Sequence, residues 1–310
     1  MSGLSEASFV GVDWGTSSFR LWLMAADGMP LASSRSGEGM LHCSSSGGFQ
    51  PVLDKHLAEV RAPEGLPVLI CGMAGARQGW VEAAYVHTPT ALGDLHSRAI
   101  SVPVEGRDIR ILPGIAQVLA EAPNVMRGEE TQLLGSIADG FTGLVCMPGT
   151  HCKWVAIDGG TIVRFASFMT GELFSVISKH SILMHAVEEG APPGFDDPTF
   201  RAAIDAVRDD ASVALSALFS IRAGQLLGFE KKAEGAAHLS GLLIGAEVAA
   251  AKSLYGAPSD IVLVGSGALG SLYEAVLTDA GYRVRVVDAE EAVRNGLAKA
   301  AARLWVKDRT

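Results

Sequence analysis

The chain has 310 residues, 48% of them apolar and 19% charged, enough material for about two domains with buried cores, which argues against a disordered chain. Lys and Arg total 25 against 34 Asp and Glu, and the resulting charge of −9 disfavours a protein that lives on nucleic-acid phosphates. Gly, Ser, Glu and Arg break every apolar run short of the roughly 18 residues a membrane span needs, and the opening MSGLSEASF lacks the basic and apolar regions of an export signal. Cys43, Cys71, Cys146 and Cys152 have neither zinc nor CxxC spacing and read as free thiols of a cytoplasmic protein.

Residues 8–12 read as a buried strand, Asp13-Trp14-Gly15-Thr16 as a turn, and 18–25 as a second strand closed by the hairpin pair Asp27-Gly28. A helix is expected over 51–61, a strand running into a Gly-rich loop over 68–75, and another strand over 109–115. Residues 129–139 read as a helix entered through Arg127-Gly128. Strand 144–147, the turn Pro148-Gly149-Thr150 and strand 153–158, closed by Asp158-Gly159, then repeat the opening theme. Helices are expected over 172–189, 199–222 and 236–255, the last with small residues on one face. Strand 261–267 runs into a Gly loop, followed by helix 270–280, strand 282–288 and a last helix from about 290 to 306. The same Gly-Thr pair at the same point of two hairpins points to two related domains rather than a solenoid.

Asp13 at a strand end is placed to organise Mg²⁺, which prefers oxygen ligands and keeps part of its water shell. Gly15 lets the turn backbone approach a phosphate, Thr16 and Ser17 add N–H and hydroxyl donors, and Arg20 closes the motif. Gly149-Thr150 with Lys153 nearby forms a second candidate phosphate cradle. Glu129 and Glu130 at a helix start are equally what the helix dipole favours and what a base for a hydroxyl proton needs. Arg127 beside them can pair with an anion. The loop Gly72–Trp80 offers a lip for a small molecule, with Arg77 able to hold a carboxylate bidentately and Gln78 and Trp80 beside it. Thr170 in Met169-Thr170-Gly171-Glu172 reads as a helix cap, with Glu172 a candidate substrate contact.

Gly265-Ser266-Gly267-Ala268-Leu269-Gly270 is literally GxGxxG after a strand, with Asp288 at the end of the next strand. That pattern supports a nicotinamide-dependent dehydrogenase as a rival. Against it, only about one helix of chain follows Asp288, too little to complete a dinucleotide fold. No GxxxxGK[ST], GxSxG or HExxH is present, which argues against a P-loop kinase, an α/β-hydrolase and a zincin.

Two Gly-Thr hairpins and a late glycine loop resemble the actin-like ATPase and sugar-kinase superfamily. VDWGTSSFRLWL, GMAGARQGWVEAAY, VMRGEETQLLG, MPGTHCKWV, FMTGELF and HLSGLLIGAE narrow the resemblance to the 2-dehydro-3-deoxygalactonokinase family. The resemblance implies an α/β fold of two ribonuclease-H-like domains flanking a nucleotide cleft. They would span 1–138 and 139–288, with the helix 289–310 packing back on the first. It implies ATP and Mg²⁺, transfer to the 6-hydroxyl of 2-dehydro-3-deoxy-D-galactonate, phosphates on both turns, and adenosine at Gly265 and Gly267. Arg77, Gln78, Trp80, Arg127 and Glu172 would meet the sugar acid, and the domains would close to exclude water. The second hairpin departs from the superfamily, with Met147-Pro148 where an Asp is common, which shifts weight to Asp13, Thr150 and Lys153. The epimeric 2-dehydro-3-deoxygluconate, differing at one stereocentre, remains an alternative substrate. The expected partners are small molecules, with no nucleic acid or membrane, and the oligomeric state is not readable.

Overall fold

A computed structural model describes residues 7–188 and 193–305. Most of the opening MSGLSEASF, position 189 of the expected helix 172–189, and the chain beyond Trp305 lie outside them. The chain begins β1 (Ala7–Trp14), β2 (Phe19–Ala25), β3 (Pro30–Ser36), α1 (Met40–Cys43), α2 (Phe49–Glu59) and β4 (Val68–Gly72). It continues β5 (Val86–His87), β6 (Thr90–Ala91), β7 (Ile100–Ser101), β8 (Ile109–Ile111), β9 (Ile115–Gln117), β10 (Asn124–Met126) and α3 (Glu129–Ser136). Next come β11 (Gly143–Met147), β12 (Cys152–Asp158), β13 (Thr161–Phe168), α4 (Thr170–His180), α5 (Pro198–Val207), α6 (Val213–Leu227) and α7 (Gly235–Tyr255). It ends β14 (Asp260–Val264), α8 (Gly267–Asp279), β15 (Arg283–Val287) and α9 (Ala289–Trp305).

Two compact units result. The first holds the chain through Thr142, the hairpin tip Ile157–Arg164 and the chain from Ala289; the second holds Gly143–Ala156 and Phe165–Asp288. The first sheet runs β3-β2-β1-β4-β8-β7, antiparallel through β3-β2-β1 and parallel from β1 to β4 to β8. The second runs β15-β14-β11-β12-β13-β6, with β11, β14 and β15 parallel. Counted from each sheet's opening strand, five strands share one order, a three-strand meander on one side and two parallel strands on the other; the sixth differs, β7 lying beyond β8 and β6 beyond β13. β1 and β4 are apolar almost throughout, as strands covered on both faces must be.

Several elements differ from the sequence reading. The helix expected over 172–189 ends as α4 at His180, where Ser181 turns extended. The helix expected over 199–222 is two helices, because Asp210 accepts hydrogen bonds from the Ser212 N–H at 2.9 Å and hydroxyl at 2.6 Å, a local turn that competes with helix. α5 has its own start: Asp197 caps the Thr199 and Phe200 N–H groups at 2.9 and 3.1 Å ahead of Pro198 at the first turn. The run 109–115 is broken at Pro113-Gly114 into β8 and β9, since proline has no N–H for a ladder. β3, polar and serine-rich, carries no alternation that marks it as a strand.

In the first unit, α9 lies against α3 so closely that a Cβ at Gly135 would overlap the Ala292 carbonyl oxygen, and one at Gly296 the Thr131 carbonyl oxygen. Lys299 donates to the Leu134 and Ile137 carbonyls at 2.9 and 3.0 Å, satisfying the C-terminal end of α3. In the second unit, Gly241 and Gly245 of α7 give the same close approach to α5 at Phe200, Ala203, Ile204 and Val207. No helix among the described residues is long and apolar enough to cross a membrane.

Candidate active site

In the first unit Asp13 is the penultimate residue of β1, paired in register with Arg20 on β2 and Cys71 on β4. Register alone therefore sets a carboxylate, a guanidinium and a thiol side by side. Arg20 Nη1 stands 3.7 Å from Asp13 Oδ2, and the Cys71 thiol donates to Oδ1 at 3.9 Å. Burial raises the Asp13 carboxyl above its usual range; Arg20 pulls it down, while Glu129 and Glu290 push it up. The following turn is tight, with Gly15 N–H donating to the Ser18 carbonyl at 2.8 Å, and it exposes Thr16 and Ser17. It is braced from below. Met40 and Leu41 N–H groups bond the Gly15 and Thr16 carbonyls at 3.0 and 3.1 Å, and a Cβ at Gly39 would strike the Thr16 oxygen at 2.5 Å. Trp14 Nε1 also donates to the Glu38 carbonyl at 3.1 Å. Glu38 is in turn gripped by Lys55 at 2.8 Å and the buried His56 at 2.9 Å, contacts that hold its carboxyl down to about 2.

α3 starts beside this turn. Gly128, at φ +105°, is its N-cap and lies near Gly72, whose own φ is +90°. A side chain at Gly72 would strike the Trp14 carbonyl at 2.5 Å, so only glycine lets the β4 loop pass the end of β1. Glu129 accepts from the Arg127 N–H at 2.9 Å and stays partly exposed. Glu130 is fully buried, and both its oxygens take the Gly128 N–H, at 2.9 and 2.7 Å. Burial and then Glu129 push its carboxyl up to about 8. The same burial, with Asp13 and Glu130 adjacent, raises the Cys71 thiol well above its usual range and leaves it unreactive.

Arg127 threads beneath the Gly72–Gly75 loop. Its Nη2 donates to the Ala83 carbonyl at 2.8 Å and its guanidinium carbon sits 4.4 Å from the Tyr85 ring centre. Nε and Nη1 are buried with no hydrogen-bond partner, two oriented donors awaiting an acceptor. Arg77 and Gln78 are exposed on the loop beyond. Trp80 is largely committed to the core, stacked on Phe49 at 6.0 Å and edge-on to Trp14 at 6.2 Å. The structure thus gathers Asp13, Arg20, Arg127, Glu129 and Glu130 at one end of the first sheet, and gives Trp80 a packing role that sequence did not foresee.

In the second unit the Pro148–His151 turn exposes Thr150 and rests on the start of α4. The Glu172 N–H donates to the Thr150 carbonyl at 3.0 Å, and a Cβ at Gly171 would strike the Gly149 oxygen at 2.5 Å. Glu172 pairs with His151, so its carboxylate is already engaged. Lys153 is buried and donates to the His151 carbonyl at 3.2 Å, which stores its charge against the turn's backbone. Thr170 is not the cap of α4: Met169 holds that position without a side-chain bond, and the Thr170 hydroxyl donates to Glu247.

Glu247 is the residue sequence reasoning passed over. Buried in α7, it also accepts from Trp154 Nε1 and from the Tyr273 hydroxyl, both at 2.8 Å. Burial raises its carboxyl and the three donors pull it back. Tyr273 contacts Cys152 at 3.2 Å, and Cys152 exchanges 3.4 Å bonds with Gly149 N–H and carbonyl, so the network reaches the turn itself. Its signal in the sequence is a lone acid inside an otherwise apolar helix face.

A pocket of about 450 Å³ opens beside this turn, walled by Gly149, Gly171, Phe174, Ile244, Leu272 and Tyr273 among others. Gly265 and Gly267 are not among its walls; α8 contributes Leu269, Leu272 and Tyr273 instead. Ser266 donates to Asp288 at 2.6 Å, and Gly265 N–H to the Val287 carbonyl at 3.0 Å. β15 is the edge of its sheet, and the next element, α9, belongs to the first unit. The GxGxxG loop therefore closes a sheet rather than opening a dinucleotide fold, which removes the dehydrogenase reading.

A profile of the 2-keto-3-deoxy-galactonokinase family matches residues 13–300. The chain is 52% identical to a probable 2-dehydro-3-deoxygalactonokinase of Rhizobium meliloti, over 96% of this chain and 97% of that one. It is 34% identical to the 2-dehydro-3-deoxygalactonokinase of Escherichia coli, over 94% and 96%. A crystal structure of a candidate 2-dehydro-3-deoxygalactonokinase from Sinorhizobium meliloti superposes with a TM-score of 0.92 at 51% identity, covering 96% of this chain and 99% of that one. Component A of (R)-2-hydroxyglutaryl-CoA dehydratase from Acidaminococcus fermentans, at TM-score 0.50 and 14% identity over 94% and 95% of the two chains, shares the fold alone. The fold is an α/β architecture of two six-stranded sheets and a small three-stranded one, β10-β9-β5. Matched along nearly its whole length, the chain belongs to the 2-keto-3-deoxy-galactonokinase family.

Proposed function

We propose that this chain transfers the γ-phosphoryl group of ATP to the 6-hydroxyl of 2-dehydro-3-deoxy-D-galactonate, a step of galactonate breakdown. The names of its relatives supply the substrate. The observation that carries the chemistry is the acid cluster Asp13–Glu129–Glu130 assembled beside an exposed Gly-Thr-Ser turn. Phosphoryl transfer asks a protein mainly for positioning and for charge placed in advance. Each unit by itself offers backbone and hydroxyl donors suited to phosphate oxygens: the Gly15–Ser17 turn with Arg20 in the first, and the Gly149–Thr150 turn with Lys153 in the second.

Asp13 fits a Mg²⁺ ligand. It is an oxygen donor at a strand end, and a carboxyl raised by burial and two neighbouring acids gains from a cation. Bound there, Mg²⁺ would neutralise phosphate charge.

Glu130 is the general base in this reading. A carboxyl lifted to about 8 is matched to taking a hydroxyl proton near neutral pH, and Glu129 sustains that lift. Arg127, with two unpartnered donors, takes the substrate carboxylate, and Arg77 and Gln78 on the exposed loop add to its hold. The pocket under Gly149 and Tyr273 takes the adenosine, with the Gly265–Gly267 loop at the start of α8 beside it. The four free, buried cysteines suit a reducing cytoplasm.

Coupled ADP release with Mg²⁺-ATP tests the reading, run with 2-dehydro-3-deoxy-D-galactonate, its gluconate epimer and galactonate in parallel. Turnover on the first alone supports kinase and substrate together. Turnover on both keto acids keeps the kinase and widens the substrate. ADP release with none of the three overturns the proposal.

A further inference from the structure

α6 carries a single charged residue, Arg222, in fifteen, in a chain that is 19% charged. Its inner side is accounted for: Ala214 and Ile221 are buried with Leu183, Val207, Leu239 and Leu242. Its outer side is also apolar, and open. Leu215 is 81% exposed, Phe219 62%, Leu226 65% and Leu227 68%. Leu215, Phe219 and Leu226 follow at helical spacings of four and seven, so they form one stripe along the helix. The left-handed Gly228 then folds the chain back, Phe229 N–H bonding the Gly224 carbonyl at 2.8 Å, and Phe229 is left 84% exposed.

We infer that this face of α6 is a contact between two copies of the chain. Large side chains of about 150–200 Å² each, exposed to this degree, leave on the order of 600 Å² of apolar surface on the stripe and Phe229. That is at the top of the range of the largest patch on a lone soluble chain and approaches the roughly 800 Å² per partner of a stable interface. Exposed Ile182 and Met184, on the turn tied to α6 by the bond from Gln225 to the His185 carbonyl, supply a rim. Charge does not oppose a second copy. Two chains of −9 repel wherever acids meet, and α6 has no acidic residue; Arg222 is turned onto Gln225 Oε1 at 2.7 Å. A stripe running the length of one helix is also self-complementary about a two-fold axis, as an isologous dimer requires.

Sedimentation velocity of the full chain from low to high micromolar concentration tests this. The wild type is expected at twice the chain mass. Phe219→Glu and Leu227→Glu are expected at the chain mass, with unchanged circular dichroism. Should either substitution disturb folding, Phe219→Cys gives an independent route. All four native cysteines are buried, so a covalent dimer formed on mild oxidation reports the new thiol. A wild type that stays at the chain mass overturns the inference, as does a dimer that survives both glutamates. Binding of a monomeric wild type to phosphatidylcholine vesicles would also overturn it and assign the face to lipid.

Discussion

Glu130 and Gly128 are joined by one N–H shared between two carboxylate oxygens, at 2.9 and 2.7 Å, at the first turn of α3. The bond lowers the pKa, yet burial and Glu129 outweigh it and leave the group near 8. If Glu130 accepts the substrate proton, kcat/KM rises with pH through an inflection near 8 in the free enzyme. Glu130→Gln is expected to lose 10²-fold or more in kcat, on the order of a missing general base, with ATP binding retained. Glu129→Gln keeps most of the activity but moves the inflection to lower pH, because it removes a neighbouring negative charge. Rate–pH profiles of the three proteins check this. An unmoved inflection in Glu129→Gln refutes the assignment.

The same residue makes stability depend on pH. Folded Glu130 holds its proton up to about 8; unfolded, it releases it near 4.5. Between those values the folded chain binds a proton that the unfolded chain does not, so stability falls as pH rises from about 4.5 to about 8 and levels off above. The loss amounts to a few kcal/mol at most, as an order of magnitude. Gln mimics the protonated acid, so Glu130→Gln removes this slope. Urea unfolding at pH 5, 7 and 9 is expected to show the variant gaining on the wild type as pH rises.

Arg127 holds two buried, unpartnered donors while a third serves Ala83 and the guanidinium lies over Tyr85. A carboxylate ligand would satisfy them. Arg127→Lys keeps the charge and loses the planar fork, so KM for the sugar acid is expected to rise 10-fold or more while KM for ATP stays within about 2-fold. Steady-state kinetics with each substrate varied in turn decides it. Equal changes in both KM values would point to a folding defect.

Much of this site was legible because it is local. Asp13, Gly15 and Gly149-Thr150 sit within short turns flanked by apolar strands, and Glu129-Glu130 follow a glycine at a helix start. What was not legible depends on partners far away in the chain. Glu247 draws its three donors from β12, α4 and α8, and no spacing announces that meeting. Trp80 reads as a lip residue until Phe49 and Trp14 are seen to cover it. The break between α5 and α6 rests on one aspartate side chain turning onto Ser212, a choice that apolar periodicity does not register. β3 escaped because its ladder is backbone and its side chains are serine and arginine.

Glu247 makes the second turn a structural unit with three helices, and its removal separates two effects. Glu247→Leu leaves the Trp154 and Thr170 donors buried and unpaired, at about 1–3 kcal/mol each, and leaves Tyr273 only its weaker contact with Cys152. Glu247→Gln still accepts at one oxygen and is expected to fold with a smaller loss of Tm. Because the network reaches Gly149 through Tyr273 and Cys152, the Gln variant is expected to raise KM for ATP more than KM for the sugar acid. Thermal melts and kinetics on the two variants check both parts.

The last prediction concerns packing alone. Gly135 on α3 and Gly296 on α9 are each set where the other helix's backbone occupies the space of a Cβ: Ala292 O for Gly135, Thr131 O for Gly296. Backbone cannot swing aside as a side chain can, so either Gly→Ala change must push the helices apart. The helix gains from alanine are only about 1 kcal/mol, while overpacking costs about 1–3 kcal/mol and more where nothing yields. Both variants are therefore expected to destabilise, by 2 kcal/mol or more. The exposed Gly194, with no atom near its Cβ position, serves as control and should accept alanine with little change. α3 begins at Glu129 and Glu130, so a displaced α3 also moves the acids. Gly135→Ala and Gly296→Ala are expected to lower kcat along with Tm. A drop in Tm with kcat intact would show that the first turn of α3 is held from the Gly72 side rather than by α9.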